Sequence, residues 1–256
     1  MTPNEKLPLS VVIISHNAAP AIAACLDSVQ FAADIVVVDS GSTDGTVEVA
    51  QTRGARVIQQ EWFGFGLQKQ FAVKQARHDW VLCIDTDERV SEALQASLRG
   101  VLAAPTFRVY AMSRCNRFMG RWLRHGEGYP DWGMRLFDRR AARWSDDAVH
   151  ETVLTQEAVG RLRGDLLHES AEELEAYLAK QNRYTSLQAQ MLAQRGKSVG
   201  TAQLVLSPVA RFIKFYLLRG GFMDGVPGLV HICIGCMNSF IKYAKLKELQ
   251  RKNMSI

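Results

Sequence analysis

The stretch Trp80-Val-Leu-Cys-Ile-Asp-Thr-Asp-Glu88 decides which fold the sequence predicts. Its four consecutive apolar residues, Val81 to Ile84, are typical of a strand buried on both faces of a parallel sheet. Asp85 and Asp87 follow the carboxyl end of that strand, which is where open α/β sheets bind ligands. Because Mg²⁺ takes one or two carboxylates together with substrate phosphates, the stretch predicts a site for a metal ion and a diphosphate. A polar turn that caps the next helix is the alternative.

Two earlier apolar runs, Leu9 to Ile14 and Asp34 to Asp39, predict two more buried strands. The first ends at Ser15-His-Asn17, and the second runs into the Gly-rich loop Ser40-Gly-Ser-Thr-Asp-Gly45. Such a loop lets the backbone approach a ligand and opens a helix whose N-terminus attracts anions. A plain strand-to-helix turn with Asp44 as the helix cap is the alternative here.

Strands and helices alternate as far as residue 102, which predicts a right-handed, mostly parallel sheet with helices on both faces. Asp39, Asp85 and Asp87 then lie at carboxyl ends of strands, where the three carboxylates could share one ligand. Lys69 lies early in the helix predicted over residues 67–77. It could reach a phosphate there, although a solvated lysine is the commoner case.

The composition is that of a folded globular protein, because the 256 residues are 47% hydrophobic and 22% charged. The net charge of +5 fits phosphate-rich partners, namely nucleotides, anionic lipid or nucleic acid, without distinguishing between them. No signal peptide is recognisable and the five cysteines are scattered, so we expect a cytosolic protein with reduced thiols. Cys233-x-x-Cys236 has no second pair nearby, which disfavours a zinc or redox site.

The chain changes character after residue 105. A segment rich in Gly, Arg and aromatic residues, Arg117 to Trp132, separates two strand-like runs and has the composition of a functional loop. From Ala171 the chain is predicted to be helical, with an apolar stripe that includes Leu174, Leu178 and Met191.

The C-terminal part is basic and partly apolar. From Ser207 onward it has eight Lys and Arg residues, whereas Asp224 and Glu248 are its acids. Its longest apolar run, Val226 to Ile241, is interrupted and is shorter than the roughly 20 residues of a membrane span. These features predict an interfacial amphipathic segment. Helices that pack on the first domain or on a second subunit are the alternative.

Three motifs resemble, in order and spacing, those of family 2 glycosyltransferases of the GT-A fold. They are Ser10-Val-Val-Ile-Ile-Ser-His-Asn17, Val37-Val-Asp-Ser-Gly-Ser-Thr-Asp-Gly-Thr46 and Asp85-Thr-Asp87. The rest of the chain resembles the bacterial lipopolysaccharide-core subgroup, which adds a sugar such as glucose to an inner-core heptose. The similar stretches there are Trp62 to Lys69, Tyr129 to Trp132, Arg135 to Phe137, Val149 to Glu151 and Gly221 to Gly225.

The resemblance implies a GT-A catalytic domain over residues 1–168, with a Rossmann-like sheet flanked by helices. Residues 1–104 would be its nucleotide-sugar half and residues 105–168 its acceptor half. A C-terminal helical, membrane-associating region would cover residues 169–256. The implied partners are a nucleotide sugar, preferably UDP-linked, and a lipopolysaccharide core or other glycolipid acceptor, with Mg²⁺ or Mn²⁺ as the metal. No nucleic acid is implied, and the protein would lie peripherally on the cytoplasmic face of the bacterial inner membrane, an anionic surface.

The resemblance also implies roles for residues that would bind the donor. Asp39 would hold the base or ribose, and the turn at Ser15, His16 and Asn17 would help it. Asp85 and Asp87 would form the DxD motif, with Asp87 as the more direct metal ligand. The remaining candidates, for the diphosphate or for acceptor anions, are Lys69 and Arg135.

Glu151 is the implied general base, and Asp131 and Asp147 are its rivals. Without the resemblance, His150-Glu151 could equally be a structural pair near a strand end. Two positions depart from the family pattern, since Gln70 stands where Asn is expected and Thr86 where Ala is usual. Neither departure removes a charge that the chemistry needs, so we expect the protein to be active.

Three other functions fit parts of the sequence. A glycosyltransferase could act on another lipid-linked or protein acceptor. A sugar nucleotidyltransferase would want a Gly-, Arg- or Lys-rich signature after the first strand, where Ser15-His-Asn17 stands. A non-catalytic membrane-binding protein could retain only the fold, but the intact Asp39, Asp85, Asp87 and Glu151 argue against it.

Overall fold

The computed structural model describes residues 5–147, 151–169 and 173–253. Val149 and His150, and the predicted helix start at Ala171, lie outside these residues.

The described residues group into two compact units. The sheet unit lies within residues 1–115 and 131–169, and the helical unit lies within residues 116–130 and 170–256. Residues 116–130 group with the C-terminal helices, whereas the predicted acceptor half of the catalytic domain, residues 105–168, includes them.

The strands of the described chain range from two to ten residues in length. They are β1 Leu7–Ser15, β2 Ala32–Asp39, β3 Arg56–Gln59, β4 Trp80–Asp85, β5 Glu88–Val90, β6 Val109–Phe118, β7 Arg121–Trp122, β8 Asp131–Asp138, β9 Ala142–Trp144, β10 Val153–Thr155 and β11 Val159–His168. Within the described residues, the main sheet has nine strands in the order β3-β2-β1-β4-β8-β6-β11-β5, with β7 paired to β6. β9 and β10 form a separate antiparallel hairpin.

The first four strands of this order are parallel, and their register determines where the site lies. Ser15 stands beside Asp39, and Ile14 stands beside Asp85, so the carboxyl ends of β1, β2 and β4 meet at one edge. β8 joins β4 in the antiparallel direction, and β5 pairs with β11 likewise. The predicted parallel sheet is therefore its first half, and antiparallel strands extend it.

The helices of the sheet unit cover both faces of the sheet, as the alternating pattern predicts. They are α1 Ala19–Asp27, α2 Thr46–Thr52, α3 Phe65–Lys74 and α4 Glu92–Ala103. The apolar run of β4 explains the arrangement, because alternate side chains enter two separate cores. Leu82 and Ile84 pack with α1, α2 and α4 in one core, whereas Val81 and Cys83 pack with α3 in the other.

The first turns of α4 and α2 are held in different ways. Ser91 caps α4, since its hydroxyl accepts the N–H of Leu94 at 3.3 Å. Asp44 does not occupy the cap position of α2, which belongs to Gly45 in a left-handed conformation (φ 88°). Asp44 instead accepts the N–H of Thr46 and so fastens the loop.

The helical unit contains α5 Leu174–Gln194, α6 Thr201–Phe212, a π-helical turn Ile213–Leu218, a 3₁₀ turn Gly221–Asp224 and α7 Gly225–Asn253. Its apolar core is small and centres on Ala189, Val199 and Leu246. Most of the predicted apolar stripe of α5 lies outside that core, because Leu174, Leu178 and Met191 are exposed, whereas Leu192, also on the stripe, packs against it. Only the C-terminal half of α5 reaches the core, through Ala189.

Candidate active site

The joined carboxyl ends of β1, β2 and β4 border a cavity of about 660 Å³. The polar residues on its wall are Ser15, His16, Ser40, Asp85, Thr86, Asp87 and His168. Its volume lies in the range of small-molecule sites, about 300–1,000 Å³. Four of the predicted donor-binding residues, Ser15, His16, Asp85 and Asp87, therefore share one cavity.

Trp62 and Phe65 form an apolar wall of the same cavity. Their ring centroids lie 4.8 Å apart with the rings edge to face, and both side chains are exposed. The sequence analysis identified this aromatic loop only by resemblance and gave it no role. An exposed aromatic pair beside polar groups offers a stacking surface to a planar base or to the C–H face of a sugar.

Asp39 is completely buried and is bonded to its own loop. One carboxylate oxygen accepts the hydroxyls of Ser15 and Ser42, and the other accepts the N–H groups of Gly41 and Ser42. Burial raises the pKa of Asp39, but these hydrogen bonds outweigh burial and hold the pKa below its usual value. Asp39 thus shapes the cavity loop as an ionised group at neutral pH.

Asn17 fastens the loops on which the cavity residues stand. Its backbone has a left-handed φ of 49°, its N–H donates to Ser42 Oγ at 2.8 Å, and its Oδ1 accepts the N–H of Thr43 at 2.9 Å. Within the predicted turn, Ser15 and His16 line the cavity, whereas Asn17 joins β1's loop to the loop after β2.

The carboxylate of Asp85 is held by two cations. Lys69 Nζ, from α3, lies 3.0 Å from Oδ1, and Arg135 Nη2, from β8, lies 3.2 Å from Oδ2. Burial raises the pKa of Asp85, but Arg135 and Lys69 outweigh burial and hold the pKa well below its usual range. The structure thus brings together three residues that the sequence analysis proposed for diphosphate or metal binding.

Glu88 belongs to this cluster, and the sequence analysis gave it no role. It is completely buried at the start of β5, where one oxygen accepts the N–H of Asp85 at 2.9 Å and the other lies 3.2 Å from Arg135 Nη2. Burial raises the pKa of Glu88, and Arg135 only partly opposes that effect. A third carboxylate directly after Asp87 was the sequence signal that could have pointed to it.

Glu151 contacts the cluster through Lys69, because Lys69 Nζ lies 2.9 Å from Glu151 Oε1. Glu151 lies between β9 and β10, next to a point where two hydrogen bonds join Ser145 to Thr152, one donated by each backbone N–H. One ammonium group therefore joins Asp85 on the cavity wall to the candidate base.

Trp144, on β9, supports both cations and was not predicted. Its ring lies 4.9 Å from Lys69 Nζ and 5.9 Å from the guanidinium carbon of Arg135. Its indole N–H points to Cys83 Sγ at 3.3 Å, and its backbone N–H donates to Gln70 Oε1 at 2.9 Å. Gln70, which departs from the family pattern, thus retains an acceptor that fixes the hairpin.

The rival bases lie elsewhere in the sheet unit. Asp131 accepts hydrogen bonds from Arg114 at 2.9 and 3.0 Å and, with Arg135, lines a second cavity of about 160 Å³. Asp147 is exposed, and its backbone oxygen accepts the N–H of Gly66. The described contacts join Glu151, rather than these two residues, to the Lys69–Asp85 pair.

Asp87 and His168 form the corner of the cavity that best suits a cation. His168 ends β11, and its Nε2 lies 3.1 Å from Asp87 Oδ2. Among the described residues, no three His, Cys, Asp or Glu side chains make a metal cage by themselves. A carboxylate and an imidazole on the wall of an open cavity nevertheless fit a cation that takes its other ligands from a diphosphate and water.

The sequence model of glycosyl transferase family 2 matches residues 10–160, which include the cavity loops, Asp85, Asp87 and Glu151. The chain belongs to this family. Residues 10–160 include β2, β3, β4, most of β1 and most of the sheet unit. The glycosyltransferase fold and activity predicted from the sequence motifs are therefore confirmed.

Relatives that match over most of both chains support the same assignment. This glycosyltransferase is 32% identical to the lipopolysaccharide core biosynthesis glycosyltransferase LpsC of Rhizobium meliloti, over 95% of this chain and 93% of the relative. It is 31% identical to an uncharacterised glycosyltransferase of Rickettsia typhi, over 97% and 89% of the two chains.

The fold has a counterpart among solved structures. A mannosyltransferase from Pyrobaculum calidifontis, in complex with GDP-mannose and Mn²⁺, superimposes with a TM-score of 0.53 and 18% identity. The match covers 98% of this chain and 88% of the other. At that identity the likeness establishes the fold, which is the predicted GT-A type.

Proposed function

We propose that this glycosyltransferase moves a hexose, glucose in the first instance, from a UDP-linked donor to an inner-core heptose of lipopolysaccharide, with inversion at the anomeric carbon. The observation that carries the proposal is the position of Lys69 Nζ, 3.0 Å from Asp85 and 2.9 Å from Glu151. That position supports a single site in which a donor-binding carboxylate and a base act together.

The cavity supports the donor half of the proposal. Ser15, His16 and the loop organised by Asp39 would contact the nucleoside, and the Trp62–Phe65 wall would cover an aromatic base or a sugar ring. Direct contact with Asp39 would require the donor to replace one of its loop hydrogen bonds. Arg135 would lie beside the diphosphate, where its fixed positive charge stabilises the leaving group.

Mg²⁺ or Mn²⁺ would be held by Asp87, with His168 beside it and Asp85 as a second carboxylate. The ion supplies positive charge that offsets the negative charge growing on the departing nucleoside diphosphate.

Glu151 would act as the general base on the acceptor. Its carboxylate takes the proton from the acceptor hydroxyl while the hydroxyl oxygen attacks the anomeric carbon. The bond from that carbon to the phosphate oxygen breaks on the opposite side, so the centre inverts. Lys69 orients Glu151 by its ion pair and, through Asp85, links the base to the donor site.

A lipid-linked acceptor would place the enzyme on the cytoplasmic face of the inner membrane. The name of the Rhizobium meliloti relative supports the lipopolysaccharide core as acceptor class. The described residues include one helical stretch, Gly221–Arg251, that is long and apolar enough to cross a membrane, which is weak evidence for membrane association. Peripheral attachment agrees better with its interrupted apolar run.

The test is transfer from UDP-glucose, GDP-mannose and ADP-heptose, with Mn²⁺, to lipopolysaccharide truncated at its inner core. We expect a glucosylated heptose with inverted configuration from UDP-glucose. Glu151→Gln should lower kcat by about 10²–10⁴-fold with a smaller change in donor KM, because a general base contributes that much. Asp131→Asn is the matched control and should stay near wild type. Normal turnover by Glu151→Gln would exclude it as the base, and transfer only to another lipid would overturn the acceptor assignment.

A further inference from the structure

The helical unit has an apolar segment that it does not bury. Within residues 201–218, ten of the eighteen residues are Val, Leu, Ile, Phe or Tyr. Neither α6 nor the π-helical turn contains a buried residue. Exposed apolar surface of this extent is unusual in a soluble protein and marks a contact with a partner or a membrane.

We call the exposed apolar side chains of this segment and of the turn that follows it the outer apolar face. It consists of Val205, Leu206, Val209, Ile213 and Leu217 along one side of the helix, followed by Leu218, Phe222, Met223 and Val226 at its end. Each of these is between 44% and 79% exposed. Val205, Val209, Ile213 and Leu217 recur every four residues, which keeps them on one side of the helix, and Leu206 lies next to the first of them.

A neighbouring turn extends this face. Arg121 donates a hydrogen bond to the backbone oxygen of Met223 at 2.9 Å, so the turn between β6 and β7 lies against the end of the outer apolar face. The same turn exposes Met119, which lines a shallow groove together with Pro227.

The charges beside the face are positive. Lys214 Nζ and the guanidinium carbon of Arg219 lie 5.2 and 5.8 Å from the ring of Phe215, on the same segment. Between residues 196 and 247 the sequence has seven basic residues, and Asp224 is its one acid. Asp224 is buried, where its carboxylate accepts the backbone N–H groups of Arg124 and His125. An apolar face with basic residues and without an exposed acid complements an anionic lipid surface.

α7, which composition singles out as the candidate span, has polar partners inside the unit. Asn238 donates to Gln181 Oε1 at 2.9 Å, and the Ser239 hydroxyl lies 2.7 Å from that of Ser207. The ion pair of Arg211 with Glu127 lies in the same polar cavity. These groups are costly in the hydrocarbon core of a bilayer. α7 is therefore better suited to supporting α6 than to crossing a membrane.

We propose that the outer apolar face inserts into the surface of an anionic bilayer. α6 and the π-helical turn lie in the plane of that surface, with Leu206 and Leu217 among the acyl chains. Lys214 and Arg219 stand at the level of the lipid phosphates, and α7 stays outside the hydrocarbon. The proposal rests on the proposed function in one respect, because a lipid-linked acceptor gives the enzyme a reason to bind membrane.

The test is co-sedimentation of the full-length protein with vesicles of phosphatidylcholine, with and without phosphatidylglycerol. Wild type should bind the anionic vesicles and bind the neutral ones more weakly. The variant L206E/L217E should lose binding by at least about tenfold, because each leucine contributes that order of affinity. Lys214→Glu should lose severalfold, mainly on anionic vesicles, since one basic residue contributes about 1 kcal/mol at such a surface.

Two exposed residues provide matched controls for an added charge. Val159→Glu, in the sheet unit, and Met237→Glu, on α7, should both bind as wild type does. Loss of binding by Met237→Glu, or wild-type binding by L206E/L217E, would overturn the proposal. So would a wild-type dimer that L206E/L217E dissociates in the absence of vesicle binding, which would assign the face to a second copy of the chain.

Donor hydrolysis in the same variants separates this proposal from the proposed function. L206E/L217E should hydrolyse the nucleotide sugar at the wild-type rate while failing to bind vesicles. If wild type binds vesicles as expected but transfers no sugar, the proposed function fails and the insertion surface remains. If sugar transfer occurs but L206E/L217E binds vesicles as well as wild type does, the proposed insertion surface is wrong and the proposed function stands.

Discussion

The indole ring of Trp144 lies 4.9 Å from the Lys69 ammonium nitrogen, and this contact joins the β9–β10 hairpin to α3. The same ring faces Arg135. Both cations contact Asp85, so one buried aromatic ring supports the two groups that hold the cavity carboxylate. Burial raises the pKa of the Cys83 thiol to about 11, so Cys83 faces the indole N–H as an uncharged thiol. Trp144 is thus a positioning residue for the cluster.

Two substitutions of Trp144 should distinguish the effect of its aromatic ring on activity from the effect of its buried volume on stability. Trp144→Leu should lower kcat/KM for the donor about tenfold or more, because each cation–π contact is worth about 0.5–2 kcal/mol. Trp144→Phe keeps an aromatic face and should lose less. Both variants lose buried volume, so comparable melting temperatures would show that the kinetic difference comes from the ring. Equal kinetics for the two variants would remove the proposed role.

Gly66 should be essential for the hairpin that carries Glu151. A Cβ atom there would lie 2.7 Å from the backbone oxygen of Asp147 and even closer to that of Ser145. Backbone atoms cannot yield cheaply, so Gly66→Ala should move the hairpin and lower kcat by at least about tenfold, since small misplacements of catalytic groups are costly. Steady-state kinetics and thermal melting would measure the two effects.

Gly100 provides the control for this substitution. It lies in α4, and an added Cβ would meet nothing within 4 Å. Gly100→Ala should stabilise the protein by roughly 0.5–1 kcal/mol and leave kcat unchanged, because alanine is the better helix former. Wild-type activity in Gly66→Ala would contradict the close approach of α3 and the hairpin.

The parallel half of the fold could be predicted because each of its strands leaves a local signal. Val81 to Ile84 form an unbroken apolar run whose side chains pack alternately into the two cores on either face of the sheet. The antiparallel half leaves weaker signals. β5 is only three residues long, Glu88–Val90, and pairs with β11 about 80 positions away. No periodicity reveals such a pairing, so the sequence predicts no role for Glu88.

The site residues also divide into those that local sequence predicts and those that distant contacts place. Asp39, Asp85 and Asp87 follow predicted strands, so their position at one edge of the sheet follows from topology. His168 is placed by the long-range pairing of β11 with β5, and Trp144 by its contacts with the distant Gln70 and Cys83. Nothing in their sequence neighbourhoods distinguishes the two from core or surface residues. Most of the predicted stripe of α5 is exposed for the opposite reason, since helical spacing predicts an apolar face without saying what that face contacts.

His168 should contribute to metal affinity. His168→Gln should raise the Mn²⁺ concentration for half-maximal binding about tenfold to a hundredfold, because groups that contact a metal-binding carboxylate typically contribute that much. Mn²⁺ binding in the presence of UDP, followed by electron paramagnetic resonance, would measure the change without relying on turnover. His231→Gln, in the helical unit, is the control. An unchanged Mn²⁺ affinity in His168→Gln would leave Asp87 as the ligand without help from His168.

Asp39 should make stability depend on pH at the acid end. Its pKa in the folded protein lies below the unfolded value of about 3.9, so its contribution is fully present above pH 4 and is lost as pH falls through the folded pKa. Asp39→Asn removes charge-assisted hydrogen bonds and should lower the free energy of unfolding by about 1–3 kcal/mol at pH 7. At pH 3 the wild type loses part of the same contribution, so the difference between the two proteins should shrink. Urea unfolding at both pH values would measure this difference.

Asp27→Asn, in an exposed pair with Arg53, is the control and should change the free energy of unfolding by less than about 1 kcal/mol at either pH. A difference between Asp39→Asn and wild type that is the same at pH 3 and pH 7 would contradict a lowered pKa.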